Sequence, residues 1–348
     1  MKVDFHAIEC ASAFDHAGTQ PIRTHDRLFR DAGAPVRSVE LRDVLYLPNV
    51  LERGQSLCLI GRSFVPEESV LDRWAVEFVK ESRRRQPPEG DTYAGEFDVT
   101  LVDRHVCILG NVFSRNFGHW SEELLKVAIL EESAPGCCYA IADLPPFARE
   151  FLLLLGVDDE RILAIERPTL FSRVSFTTAI HHRNIARYSG VLFQLRDLVQ
   201  SRLDARSSGR GARLWLDRGA GLRSGGVTAN QEEVASCIQP YGFAIVDPAT
   251  LSVKDQLALV GAAAVIAGPH GSQFVLAQFM PASSTVIECF SPIHVNPSIL
   301  EICRVLRHSY HQIVARSHLL RPHALGRDCE VDCEHLRLVL DSLPAAKS

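Results

Sequence analysis

Two short stretches carry the residue types that chemistry on an anionic ligand would need. The first centres on His270, set among Gly268, Pro269 and Gly271 and followed by Ser272. Val265, Ile266 and Ala267 before it read as a buried strand. The apolar run 273–280, closed by Pro281, reads as a helix, so the residues between form a strand-to-helix turn. Such a turn aims backbone N–H groups outward at the positive end of a helix dipole, and glycine at 268 and 271 would let a ligand approach the main chain closely. The expected guest is an anion such as a phosphate. The second stretch is Asn116, Phe117, Gly118, His119, Trp120, Ser121, Glu122 and Glu123. Here Ser121, or a residue just before it, is expected to cap a helix with the two glutamates in its first turn, while apolar residues at 124, 125 and 127–130 pack inward. That leaves Asn116 and His119 at the helix mouth. Trp120 also reads as a core anchor, and Glu123 as a charge that suits the dipole.

The elements that must position these residues alternate. Strands are expected at 43–47, 56–60 and 99–109, with a helix over 67–82 that ends in the basic triplet Arg83, Arg84 and Arg85. Then follow a strand at 139–142, a helix from 145 to 155, strands at 161–165 and 174–180, and a helix over 184–203. The Ser, Gly and Arg run at 204–211 is the best linker in the chain. From 213 the alternation becomes regular, with strands at 214–216, 243–246, 264–267, 285–287 and 311–315 separated by helices. Strands joined through helices form a parallel, doubly wound sheet, and ligands of such sheets sit outside the carboxyl ends of the strands. Arg218, Arg223, Asp247, His270, Gly271, Ser272 and Glu288 all follow strands at that edge. Together they suggest a nucleotide pocket in which arginines and turn amides hold a diphosphate and Glu288 accepts from ribose hydroxyls.

Composition narrows the classes. At 348 residues, with 46% hydrophobic content and a mean hydropathy of +0.03, the chain can build two domains with ordinary cores. A formal charge of −5 and a pI near 6.3 argue against nucleic acid as a partner, since a polyanion needs a basic surface. The first residues show no basic segment followed by an apolar run, so a signal peptide is not expected, and the protein is read as cytoplasmic. Ten scattered cysteines fit reduced, buried thiols. Cys329, Cys333, His323 and His335 match no standard zinc spacing.

Read together, these residues resemble the family 61 glycosyltransferases, which include bacterial capsule and lipopolysaccharide enzymes, plant xylosyl- and arabinosyltransferases and animal O-linked N-acetylglucosaminyltransferases. The matching pieces are Asn116, His119, Trp120 and Glu123; Arg218, Arg223, Asn230 and Glu233; Gly242 and Phe243; Leu251, Ser252 and Gln256; Gly268 to Gly271; and Thr285 to Glu288. Val331, Asp332 and Leu336 resemble the family's closing segment. After His270 and Gly271 this chain has Ser272, Gln273 and Phe274, where relatives usually have a small residue, a hydrophobic one, and then Thr and Asn. The resemblance implies an α/β fold of GT-B type, with two Rossmann-like domains facing a cleft. Residues 1–205 would form the acceptor-side domain and 206–316 the nucleotide-sugar domain, with a tail at 317–348 packing back on the N-terminal domain.

It also implies inverting transfer from a nucleotide-sugar, with a UDP-sugar expected, to a glycan or lipid-linked glycan, at the inner membrane surface if the acceptor is lipid-linked. Inversion needs a base for the acceptor hydroxyl and charge stabilisation on the departing diphosphate. His119 is the first choice for the base, Glu123 the second and His270 an alternative. Asn116 and Trp120 fall on the acceptor side, and Arg218, Arg223, Asp247, Gly268, His270, Gly271, Ser272 and Glu288 on the donor side. No persuasive Asp-x-Asp ends a mid-chain strand, so neither a metal nor another cofactor is required. Two other classes stay open. A non-catalytic carbohydrate-binding protein on the same fold is one. A dinucleotide oxidoreductase is the other, although Gly219, Gly221, Gly225 and Gly226 miss its glycine spacing.

Overall fold

The computed structural model describes residues 2–4, 9–10, 23–24, 37–47, 57–60, 63–64, 94–96, 98–110, 116–142, 144–178, 180, 185–203, 211–217, 228–292, 295–315 and 329–344. The expected helix at 67–82 with its arginine triplet, most of the 204–211 linker, and Arg218 and Arg223 lie outside them. Contacts divide the chain into two compact units, Met1–Leu195 and Arg196–Ser348. The division falls inside a helix, Ser189–Arg202, and not in the Ser/Gly/Arg run. The end of that helix belongs to the second unit, where Arg196 lies close enough to His308 to help depress its basicity.

The N-terminal unit contains strands β1 (Lys2–Asp4), β2 (Glu9–Cys10), β3 (Arg23–Thr24), β4 (Arg37–Leu47), β5 (Leu57–Ile60), β6 (Ser63–Phe64), β7 (Ala94–Glu96) and β8 (Thr100–Leu109). These are followed by α1 (Phe117–Ser133), β9 (Cys138–Ala142), α2 (Pro146–Leu154), β10 (Ile162–Ile165), β11 (Thr169–Thr177) and α3, the helix just named. Its main sheet runs β10, β9, β8, β11, β4, β5, β6, β2, with β3 paired to β4. Only the stretch β8, α1, β9, α2, β10 is wound as expected, with parallel strands and helical crossovers. Strand β4 pairs antiparallel with both β11 and β5, so the sheet is mixed, which corrects the expectation of a Rossmann-like domain here. A parallel neighbour needs a crossover of a dozen residues or more, and β4 and β5 are joined by fewer than that. One face buries Val39, Leu41, Val44, Tyr46, Val106, Ile108, Phe171, Val174 and Phe176. Asp43, at φ +57, takes up the change of phase between Leu41 and Val44, keeping both on that face.

The second unit is the doubly wound sheet the alternation predicts. Its elements are β12 (Ala212–Leu216), α4 (Gln231–Ile238), β13 (Phe243–Val246), α5 (Val253–Gly261), β14 (Ala263–Pro269), β15 (Thr285–Phe290), α6 (Ser298–Leu306), β16 (Ser309–Val314) and α7 (Cys333–Asp341). The strands lie in the order β13, β12, β14, β15, β16, every pair parallel. Numbered along the chain this is 2-1-3-4-5, which puts the reversal of winding between β12 and β14. Trp215, Val265, Ala267, Ile287, Cys289 and Ile313 pack on one face against Val234, Cys237 and Ile238 of α4 and Cys333, Leu336 and Leu340 of α7.

The described part of the tail, 329–344, therefore completes the core of the second unit, where the expectation had set the tail on the first. Its apolar residues pack on the sheet there, and Asn230 clasps it: the amide Oδ1 accepts from Val331 N at 2.8 Å and Nδ2 donates to Val331 O at 3.0 Å. Cys329 and Cys333 are buried in this core, and burial pushes both thiols up to about 12. Among the described residues no three His, Cys, Asp or Glu gather as metal ligands, and no helix is long and apolar enough to cross a membrane.

Candidate functional site

Strand β14 runs on through Gly268 and Pro269, so the turn begins later than expected. Gly268 is held at φ +151, and a Cβ there would stand 2.3 Å from the carbonyl oxygen of Leu216 on β12. Its glycine serves the close approach of two strands at the winding reversal, whereas the sequence suggested room for a ligand. Gly271, at φ 175, is extended backbone open to any residue. The segment that follows, Ser272–Phe279, is a 3-10 helix buried from Gln273 onward and not an amphipathic α-helix. Gln273 Nε2 closes the turn by donating to Pro269 O at 2.8 Å. Ser272 and Gly271 stay half-buried at its start.

His270 emerges from this turn beside β15. Its backbone N–H donates to Cys289 O at 2.7 Å, and its Nδ1 lies 2.5 Å from Glu288 Oε1. The ring stacks on Phe290, centroids 4.7 Å apart and planes 23° from parallel. Glu288 is wholly buried, and its second oxygen accepts from the Tyr310 hydroxyl at 2.7 Å. A carboxylate with no exposed surface and both oxygens engaged cannot be the expected acceptor for ribose hydroxyls. It fixes the imidazole instead: Nδ1 is turned to the carboxylate, Nε2 lies on the far side of the ring, and the side chain keeps 15% of its surface exposed. The sequence reading missed Tyr310 and Phe290. The signal for Phe290 was its place two residues beyond Glu288, on the same face of β15; for Tyr310 it was visible only once the strands were paired.

The other donor-side candidates divide. Asp247 ends the edge strand β13, and its Oδ1 accepts from Ala249 N at 3.0 Å as the cap of the short 3-10 turn Pro248–Thr250. That is a structural task, away from His270 in the strand order.

At the start of α1 the structure moves the cap. Asn116, not Ser121, is the N-cap, its Oδ1 accepting from Gly118 N at 2.8 Å, so the helix starts four residues before Ser121 and Glu122 and Glu123 fall in its second turn. Asn116 is thus a capping residue. Trp120 and Glu123 are both fully buried, which removes them from contact with an acceptor. Trp120 packs edge-on toward Phe147, with centroids 6.5 Å apart. The Glu123 carboxylate accepts from Gly110 N at 2.8 Å and pairs with buried Lys126 at 3.1 Å, tying the helix to the end of β8. His119 remains at the mouth, 28% exposed, with its Nδ1 3.7 Å from a carboxylate oxygen of Glu122. The sequence reading took Glu122 as a helix-dipole charge and not as a partner of His119, although its place three residues on puts the two on one helical face.

The remaining resemblance residues serve the fold. Gln256 is buried and donates to Leu251 O at 3.1 Å; Asn230 Nδ2 also donates to Glu233 at 2.8 Å, and Asp332 caps α7.

No curated protein matches the chain. Among solved structures it resembles the E. coli heptosyltransferase WaaC with ADP, at 7% identity and a TM-score of 0.32, covering 68% of this chain and 99% of that one. It also resembles the dodecameric iron-containing heptosyltransferase TibC in complex with ADP-D-beta-D-heptose, at 12% identity and a TM-score of 0.31, covering 86% and 82%. These are distant likenesses. The sequence from Phe117 to Ile287 matches the model of the family described as Glycosyltransferase 61, a span that opens on α1 and stops one residue before Glu288. That match, over 171 of the 348 residues, supports a family 61 glycosyltransferase.

Proposed function

We propose that this glycosyltransferase moves a sugar, with inversion, from a nucleoside-diphosphate donor to a hydroxyl of a glycan or lipid-linked glycan, in cell-surface polysaccharide synthesis. The observation that carries the reading is the imidazole of His270, held by a buried carboxylate at the carboxyl ends of a parallel sheet, next to its winding reversal. That edge is where such sheets take nucleotides. The bond from the anomeric carbon to the diphosphate breaks while the acceptor oxygen bonds that carbon from the opposite face. The acceptor's proton passes to a base, and negative charge gathers on the departing diphosphate.

In this scheme His270, which takes up a proton at Nε2 as the anionic diphosphate binds, and the amides of Gly271 and Ser272 donate to the diphosphate. Arg218 and Arg223 are assigned to the same charge on sequence grounds. Cationic side chains then do the work of a metal, and a UDP-sugar is the expected donor. His119 is the proposed base, since Glu122 stands where it would stabilise the imidazolium formed by proton transfer. Glu123 drops out because it is buried and paired. A GT-B arrangement with the acceptor on the N-terminal unit, and action at the cytoplasmic face of a membrane, belong to the same proposal.

Thermal shift with UDP, ADP, GDP and CDP tests the pocket: one of them should raise the melting temperature, since a ligand of the folded state alone stabilises it. With the matching nucleotide-sugar, His270→Ala should lower turnover about 100-fold, and His119→Ala about 100-fold or more. No stabilisation by any of the four at millimolar concentration, or full turnover in His270→Ala, overturns the reading. Full turnover in His119→Ala with both substrates saturating removes only the base assignment.

A further inference from the structure

We infer that Tyr310 is a positioning residue for the transfer reaction, its hydroxyl holding one oxygen of Glu288 so that the other fixes the ring of His270. This rests on the role proposed for His270. Tyr310 lies on β16, beyond the stretch that matches the family, and nothing in its own neighbourhood of sequence marks it. Strand pairing brings it in. Gly268 on β14 pairs with Glu288 on β15, and Val286, two residues earlier on the same face of β15, pairs with Tyr310. Tyr310 is thus the diagonal neighbour of Glu288, within reach of a long side chain. The turn after β14 and the two strands next to it, β15 and β16, each give one residue to a single chain of contacts.

The direction of each bond follows from burial. Glu288 is fully buried, so each of its oxygens needs a donor. Burial first, and then the charge of Glu288, push the Tyr310 phenol well above its usual range, so Tyr310 keeps its proton and is the donor. With Oε2 held at 2.7 Å by Tyr310, the carboxylate plane is set and Oε1 is delivered to His270 Nδ1. Phe290 confines the ring from its face, leaving rotation in its own plane as the motion that the carboxylate must prevent. The nearby Cys303 thiol, itself raised first by burial and then by the Glu288 charge, is too weak a donor to replace the phenol. Removing the hydroxyl leaves Oε2 without a donor, and the carboxylate turns to find one at the expense of its bond to His270.

The test measures, for wild type, Tyr310→Phe, His270→Ala and the double variant, the affinity for whichever of UDP, ADP, GDP or CDP stabilises the wild type. It adds 15N spectra of histidine-labelled protein, with His270 assigned by its absence in His270→Ala. Tyr310→Phe should weaken binding about 10-fold, the scale of hydrogen bonds behind a functional histidine. The double variant should bind no more weakly than His270→Ala alone, because Tyr310 acts only through that ring. The His270 ring should show hydrogen on Nδ1 in the wild type and a mixture of tautomers in Tyr310→Phe. Unchanged affinity with unchanged ring signals overturns the inference. So does an additive loss in the double variant, which would mean a general structural role.

If His270→Ala binds the nucleotide as tightly as wild type while Tyr310→Phe still shifts the ring signals, the role of His270 fails and the positioning geometry stands. Should Tyr310→Phe not fold, 3-fluorotyrosine at position 310 replaces it. That side chain keeps ring and hydroxyl and donates more strongly, so the His270 signals must move; if they do not, the inference falls.

Discussion

Two histidine and glutamate neighbourhoods, one in each unit, invite comparison. Near His119 and near His270 the chain offers the same residue types, and Glu123 and Glu288 are both fully buried. They differ in what holds the carboxylate. Glu123 is taken by Lys126 of its own helix and by the amide of Gly110, so its charge is spent inside the fold. Glu288 has a phenol on one oxygen and, on the other, an imidazole that reaches the surface. A buried carboxylate becomes part of a site when one of its partners is also exposed. Exposure of the partner, and not the perturbing burial itself, separates the two.

The largest effect should come from breaking the first neighbourhood. Glu123→Ala removes the carboxylate paired with the buried Lys126 ammonium and should cost about 3–5 kcal/mol, the scale for removing one partner of a buried pair. Urea unfolding measures it, and a loss under 1 kcal/mol would show that Lys126 escapes to water and that Glu123 is no anchor. Next comes Glu288→Gln, which keeps shape and leaves His270 an amide neighbour. Turnover should fall about 100-fold, about 2.7 kcal/mol of barrier. If stability falls as far as in Glu123→Ala while turnover of the folded fraction is unchanged, the contrast between the two carboxylates disappears.

The smallest effect sharpens the comparison through a third histidine. His308 is 7% exposed, and its Nε2 lies 3.1 Å from the Ala277 carbonyl oxygen, where His119 and His270 have a carboxylate. Burial, with help from the Arg196 charge, lowers its pKa below the ordinary value of 6.5 against the pull of that carbonyl. The unfolded chain then binds the proton more readily than the folded one. The contribution of His308 is therefore fully present above pH 6.5 and lost as pH falls below that value toward the folded pKa. Its slope is at most about 1.4 kcal/mol per pH unit. His311, also lowered by burial, adds in the same direction. Urea unfolding at pH 7.5 and pH 5.5 should show this loss, reduced in His308→Gln; an equal loss in wild type and variant would place its origin elsewhere.

Much of the second unit could be read in advance, and the reason is local. The strands around Trp215, Ile245, Ile266 and Ile287 are short apolar runs closed by turn residues, and the helices α4 and α5 between the first three carry their own apolar stripes. The N-terminal sheet was less legible, because one antiparallel partner of β4 is close in sequence and the other remote: Val44 faces Ile60 on one side and Phe171 on the other. In the site, His270 was found from its glycine turn, while the reason for Gly268 was misread: the carbonyl it makes room for is Leu216, some fifty residues away. The cap was misplaced for a similar reason. Asn116 and Ser121 both have capping side chains, and only the path of the chain into the helix selects between them.

By itself the sequence determined the residue chemistry and the local periodicities: a histidine in a strand-ending turn, a glutamate in the next strand, which runs on to Phe290 and not to Glu288 as expected, and a repeat of strands and helices that had to close as a parallel sheet. Burial preference and backbone propensity act over a few residues and can be seen in a single line of text. Only the tertiary structure decided that β15 lies between β14 and β16, and so that Glu288 sits beside Gly268 and diagonal to Tyr310. Strand neighbours are chosen by how the whole set of apolar faces packs at once. The partners of a buried charge are therefore a property of the assembled sheet and not of the residues around it in the chain.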